Sequence, residues 1–144
     1  MQELKTIKKI IVHCSATPEG KDYSAKDIDK WHKERGWECI GYHYVIKLDG
    51  TIEGGRSVKF VGAHCKGHNS DSLGICYIGG LDKDHKPKDT RTPEQKEAIK
   101  SLCLKLLKEN LAAKLYGHRD FESKKDCPCF DVIEEALEWE ITDV

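Results

Sequence analysis

Lys8-Lys9-Ile10-Ile11-Val12-His13-Cys14 is the stretch on which the fold turns. Three consecutive β-branched apolar residues between lysines and a His-Cys pair read as a strand buried at its centre. Side chains alternate along a strand. His13 and Cys14 therefore point to opposite faces, and only one of them can reach a shared metal ion.

Working outward, the rest of the chain supplies partners for that strand. Residues 41–48, Gly-Tyr-His-Tyr-Val-Ile-Lys-Leu, read as a second strand, and Asp49-Gly50 before Thr51-Ile52-Glu53 is a hairpin signal. Leu73-Gly74-Ile75-Cys76-Tyr77-Ile78 is another buried strand, and Leu115-Tyr116-Gly117 a short one. Ser24-Ala25-Lys26-Asp27 approximates a capping box, after which Ile28, Trp31 and His32 share a helical face until Gly36. Thr92-Pro93-Glu94-Gln95 starts a second helix, with Ile99, Leu102, Cys103, Leu106 and Leu107 at helical spacing. A third is expected from about Asp131 to Glu140 with Ile133 and Leu137 facing inward, and the charged residues 81–91 are expected to be mobile. With no repeat or linker, residues 1–144 read as a single α/β domain, a central sheet flanked by about three helices.

Charged residues make up 34% of the chain, yet the formal net charge is only −1, which gives no electrostatic reason to expect nucleic acid or an anionic membrane as partner. No apolar run approaches the length of a membrane helix, and the N-terminus lacks the apolar centre of a signal peptide, so secretory export is not expected. Seven cysteines scattered through apolar runs argue for reduced thiols rather than a disulfide framework.

The chemistry gathers late in the chain. Gly117-His118-Arg119-Asp120-Phe121-Glu122-Ser123-Lys124-Lys125-Asp126-Cys127-Pro128-Cys129 sets a histidine and a cysteine nine positions apart in a polar loop. With His13 they make two imidazoles and a thiolate, the ligand count of a catalytic zinc that keeps its fourth position for water. Each residue has a plainer reading alone. His13 can be a hydrogen-bonded strand-end histidine, Cys127 a buried thiol, Lys125 a solvated lysine and Tyr42 a core aromatic. The loop from His64 to Asn69 can be an ordinary turn, while His32, His43 and His85 read as structural or exposed. A cysteine nucleophile activated by His118 or His13 is the competing chemistry, but a metal site uses all three residues more economically. No nucleophile elbow, phosphate loop or dinucleotide fingerprint is present.

Ile11-Val12-His13-Cys14-Ser15-Ala16-Thr17, Gly41-Tyr42-His43-Tyr44-Val45-Ile46 and Asp49-Gly50-Thr51-Ile52-Glu53 are followed by Gly62-Ala63-His64, Asn69 and Ser72-Leu73-Gly74-Ile75. Gly117-His118 and Cys127-Pro128 complete the series. Over roughly residues 8–132 this order resembles the type 2 N-acetylmuramoyl-L-alanine amidases, most closely the amidase-type lysozymes of bacteriophages and more distantly the peptidoglycan recognition proteins. The resemblance implies a sheet of mixed strand direction and one zinc ion (Zn2+) held by His13, His118 and Cys127. It implies Tyr42 and Lys125 as catalytic pair, and His64 and Asn69 along the substrate groove. The implied reaction is hydrolysis, by zinc-activated water, of the amide joining the lactyl group of N-acetylmuramic acid to L-alanine. Peptidoglycan or muropeptide would be the partner of a monomer made in the cytoplasm and acting on the wall after release. The alternatives are a non-catalytic recognition module and a cytoplasmic amidase recycling wall fragments. Spacing from Cys127 favours Lys125 over Lys124, and Cys129 stands where a small residue is expected, as a rival ligand or disulfide partner.

Overall fold

The computed structural model describes residues 1–142, with side chains as far as Trp139. In chain order its elements are β1 (Lys9–Cys14), β2 (Thr17–Pro18), α1 (Ala25–Glu34), β3 (Tyr44–Ile46), β4 (Ile52–Gly54), β5 (Ser72–Tyr77), β6 (Gly80–Leu81), α2 (Pro93–Glu109), β7 (Lys114–Gly117) and α3 (Val132–Thr142). Short 3-10 turns occupy Asn69–Asp71 and His118–Asp120.

β1 lies inside a five-stranded sheet of order β4-β3-β5-β1-β7. It runs parallel to both β5 and β7, and β3 is parallel to β5, whereas the Asp49-Gly50 turn returns β4 antiparallel to β3. Gly50 carries the positive φ, 86°, that this turn needs. The sheet is therefore mixed and flanked by three helices, as expected. The second strand is shorter than its apolar run suggests: only Tyr44–Ile46 form the ladder, while His43 still donates its backbone N–H to Gly74 O (2.9 Å).

The two faces of the sheet carry different cargo. Ile10, Val12 and Cys14 of β1 share one face with Leu73, Ile75 and Tyr77 of β5, and pack under Ile99, Leu102, Cys103 and Leu106 of α2 and Val132 and Trp139 of α3. Each such buried aliphatic side chain contributes roughly 1.5–3 kcal/mol relative to exposure. On the other face, Val45 and Cys76 meet Ile28 of α1 together with Ile40 and Ile78.

Caps fix where the helices begin. Ser24 accepts from Asp27 N while the Asp27 carboxylate accepts from Ser24 N, the reciprocal pair expected from sequence. Thr92 and Gln95 repeat the device for α2, and here the cap is also a tether. Gln95 is fully buried, and its amide nitrogen donates to the carbonyls of Ile46 (3.3 Å) and Ile78 (2.9 Å). The cap thus joins the start of α2 to the ends of β3 and β5.

Two expectations are corrected. Ile133 and Leu137 face solvent (44% and 58% exposed), and α3 instead turns Val132, Ala136 and Trp139 inward. The charged segment 81–91 is not a loose connector. Asp82 accepts from Asp84 N and Lys86 N, Lys88 N donates to Gly80 O, and the buried Arg91 bonds both Asp89 and Glu135 while its guanidinium lies 3.4 Å from the Phe130 ring centroid.

Candidate active site

The site forms where parallel strands end. Val12 lies opposite Gly117, so the next residue on each strand, His13 and His118, emerges side by side at the carboxyl ends of β1 and β7. Gly117 N donates to Asp120 Oδ2 (2.7 Å), which tightens the turn carrying His118. Cys127 is brought in from the far side of the loop: its carbonyl accepts from Arg119 N (2.9 Å), and its Sγ accepts the backbone N–H of Cys14 (3.2 Å). Tyr77 clamps the following turn, donating its hydroxyl to Pro128 O (2.6 Å).

The ligating atoms of His13, His118 and Cys127 all lie within 4.8 Å of one another. The two Nδ1 atoms are 3.2 Å apart. Two nitrogens held about 2.0–2.1 Å from a tetrahedral ion stand about 3.3 Å apart, so the spacing fits such an ion, and a two-nitrogen, one-sulfur set suits zinc. The remaining ring nitrogens are engaged. His118 Nε2 donates to Glu122 Oε2 (2.9 Å), which leaves its Nδ1 as the lone-pair atom, and His13 Nε2 faces His64 Nδ1 (2.8 Å). Burial above all, then the nearby His64 and His118, holds His13 well below the usual imidazole pKa; burial also lowers His118, against the opposing pull of Glu122. Both rings are thereby kept neutral, the state in which imidazole binds a metal.

Through His118 the cluster borders a cleft of about 480 Å³. Tyr42, His64, Asn69 and Lys125 all line it, whereas Lys124 does not. The Tyr42 ring lies 5.1 Å from His13, centroid to centroid, and burial raises its phenol well above the ordinary value, so that it remains a protonated donor. Asn69 Oδ1 accepts from both His64 N and Cys65 N (2.9 Å each), which fixes the loop carrying His64.

The structure thus brings together all seven residues singled out from sequence. Cys129 is not among the three clustered ligands. Its backbone takes a positive φ of 69°, and its thiol donates to Gly80 O (3.4 Å); none of the seven cysteines is disulfide-bonded. His32 and His43 are structural but not partnerless. His32 Nδ1 accepts Gly41 N, His43 Nδ1 accepts Gly74 N, and His43 Nε2 bonds Phe60 O. Sequence reasoning missed Glu122, although its i+4 spacing from His118 was visible, and it missed Arg35 and Trp37 at the cleft wall. Arg56 was passed over as well; it is buried and donates to the carbonyls of Cys39, Ile40 and Val61, bracing the loops behind the cleft.

A cleft at the ends of parallel strands, with a His-His-Cys cluster beside it, belongs to a chain that is similar over most of its length to known proteins. The chain belongs to the N-acetylmuramoyl-L-alanine amidase family, whose pattern matches residues 3–130. It is 44% identical over 124 residues to the endolysin of Klebsiella phage KP32, covering 86% of this chain and 82% of that protein. Among solved structures it is similar to the N-acetylmuramoyl-L-alanine amidase LysC from Clostridium intestinale URNW, with a TM-score of 0.77 and 26% identity over 99% of this chain and 93% of that one. Drosophila PGRP-LB is also similar, with a TM-score of 0.72 and 29% identity over 88% and 78% of the two chains.

Proposed function

We propose that the protein is a zinc-dependent N-acetylmuramoyl-L-alanine amidase that hydrolyses the bond between the lactyl carbonyl of N-acetylmuramic acid and the amine of L-alanine in peptidoglycan. One observation carries this reading: three ligand atoms of the right chemistry converge within 4.8 Å beside a cleft lined by Tyr42 and Lys125. Membership of the amidase family and the phage endolysin relatives support the substrate class.

His13, His118 and Cys127 would hold the ion. When bound, it supplies Lewis acidity and an activated water at neutral pH. The chain's own groups do the rest. Glu122 and the Cys14 N–H orient His118 and the Cys127 sulfur. Lys125 brings a cation to the same cleft, placed to stabilise the oxyanion as the carbonyl is attacked. Tyr42, held protonated by burial, is the hydroxyl donor of the pair and the first candidate to pass a proton to the departing amine. His64 and Asn69 form part of the wall along which the glycan-peptide lies.

A second reading is a module that recognises peptidoglycan without cutting it; the likeness to a peptidoglycan-recognition protein supports the recognition half of that reading. Mass spectrometry of digested peptidoglycan separates the two. Free muramic lactyl carboxylates and stem peptides with an unblocked L-alanine are expected, and a wall that is bound but chemically unchanged refutes the amidase reading. No helix among the described residues is long and apolar enough to cross a membrane. Synthesis in the cytoplasm and action on the wall after release, as a monomer, completes the proposal.

A further inference from the structure

His64 has a second set of contacts that a groove-lining residue does not need. Its Nδ1 lies 2.8 Å from His13 Nε2, and its Nε2 lies 3.1 Å from the Oγ of the fully buried Ser72. The ring is seated in a slot cut for it. A Cβ at Gly74 would fall 2.6 Å from His64 Cγ, and one at Gly62 would fall 2.7 Å from His64 Cδ2, so both glycines are needed to admit the imidazole. Asn69 holds the backbone at the same point through its two accepted N–H bonds. Slot, loop anchor and serine together fix both the place and the plane of the ring.

That fixed ring decides which nitrogen of His13 meets the metal. His13 Nδ1 is the atom facing His118 Nδ1, so it must be the bare one if both are to bind a cation, and the His13 proton must sit on Nε2. The Nε2 proton then needs an acceptor, and the only one given by its bonds is His64 Nδ1. His64 in turn must carry its own proton on Nε2 and donate it to Ser72 Oγ. Ligating histidines commonly give their second N–H to a carboxylate or carbonyl. Here that partner is a second histidine, which can accept only in one of its two tautomers.

We propose that His64 is a positioning residue of the metal centre, acting through His13, and that loading the ion sets the tautomers of His13 and His64 together. With the ion stripped, the same distances suit the reverse order: Ser72 donates to His64 Nε2, His64 Nδ1–H to His13 Nε2, and His13 Nδ1–H to His118 Nδ1. On loading, the His13 Nδ1 proton leaves to solvent and the His64 Nδ1 proton passes to His13 Nε2. A proton is taken up at His64 Nε2, and the serine hydroxyl rotates to accept. Both rings stay neutral and their proton count is unchanged.

The inference rests on the zinc reading, and one experiment keeps the two apart. Zinc affinity is measured by chelator competition in the full chain for wild type, His64→Ala and His64→Gln, the last keeping an amide oxygen that can accept from His13. Folding is checked by circular dichroism. The expected result is about 10- to 100-fold weaker zinc binding in His64→Ala, largely recovered in His64→Gln. Nitrogen-15 NMR of the wild type is expected to show His64 exchanging an Nδ1–H for an Nε2–H signature as one equivalent of zinc is added; this readout needs no variant. Folded His64→Ala with unchanged zinc affinity, or a His64 tautomer unmoved by zinc, overturns the inference and leaves the amidase reading intact. Wild-type protein that binds no zinc overturns both.

Discussion

The two faces of one sheet have been put to different uses. Behind β1, Ile10, Val12 and Cys14 meet α2 and α3 in a continuous apolar layer. In front, the same strand presents His13 to a ring of polar groups: His118, His64, Tyr42 and the Cys127 sulfur. The period-2 alternation of a strand makes this division possible within six residues. The larger apolar layer lies on one side; the other side holds the His-His-Cys cluster beside a smaller apolar cluster of Ile28, Ile40, Val45, Cys76 and Ile78, and no buried side-chain nitrogen or oxygen lacks a partner among the described residues. It follows that substitutions among the polar groups lining the cleft should move activity more than folding, and substitutions in the layer behind should do the reverse.

The largest effect expected is in front. Lys125→Ala should lower turnover by ~100- to 1000-fold, the usual cost of removing an oxyanion donor, with melting temperature and zinc content unchanged. Steady-state assays on purified peptidoglycan check this, and full activity would remove Lys125 from the mechanism. Behind the sheet, Ile99→Ala deletes a fully buried side chain and should cost about 2–5 kcal/mol in denaturant unfolding, with the folded fraction keeping its zinc affinity. If that variant lost zinc in step with stability, the two faces would not be separable.

Acid sharpens the contrast on the front side, where His32 and His43 each accept a backbone N–H through Nδ1 and so must be neutral. Burial pushes His32 down to about 4 and lowers His43 as well. For a base whose folded pKa is depressed, the unfolded chain takes up protons first. The stability is therefore complete above the ordinary imidazole value near 6.5 and is lost as pH falls from there towards 4. Metal-free protein should lose on the order of 1 kcal/mol from this source between pH 7 and pH 5, read from urea midpoints; a flat profile would contradict it. The smallest effect expected is at the margin. Ser24→Ala removes the cap of α1 and should cost about 1 kcal/mol with turnover unchanged, as thermal melts and turnover assays would show.

The clustering of His13, His118 and Cys127 was legible because two imidazoles and a thiol form a rare set and both histidines stand at the ends of short strand patterns. The hairpin and both capping boxes were legible for the same reason: each is a short-range agreement between residue type and backbone need. The inward face of α3 was not. Ile133 and Leu137 are four residues apart, but so are Val132 and Ala136, with Trp139 three further on; helical period alone cannot choose between these stripes. What decides is where the preceding turn docks, with Phe130 under Arg91 and Pro128 held by Tyr77. Segment 81–91 was misjudged for a related cause. Its charge content reads as solvated, and nothing local reveals that Arg91 finds Glu135 forty-four residues away. The coupling of His64 to His13 depends on a slot left by two glycines on different segments, which no spacing rule encodes.

The central claim is that one ion, held by His13, His118 and Cys127, is required for cleavage. The direct test is to strip the protein with a chelator, remove the chelator, and follow hydrolysis of purified peptidoglycan as zinc is returned. Turnover should vanish on stripping and return in full at about one zinc per chain. Undiminished hydrolysis by the stripped protein would contradict the account.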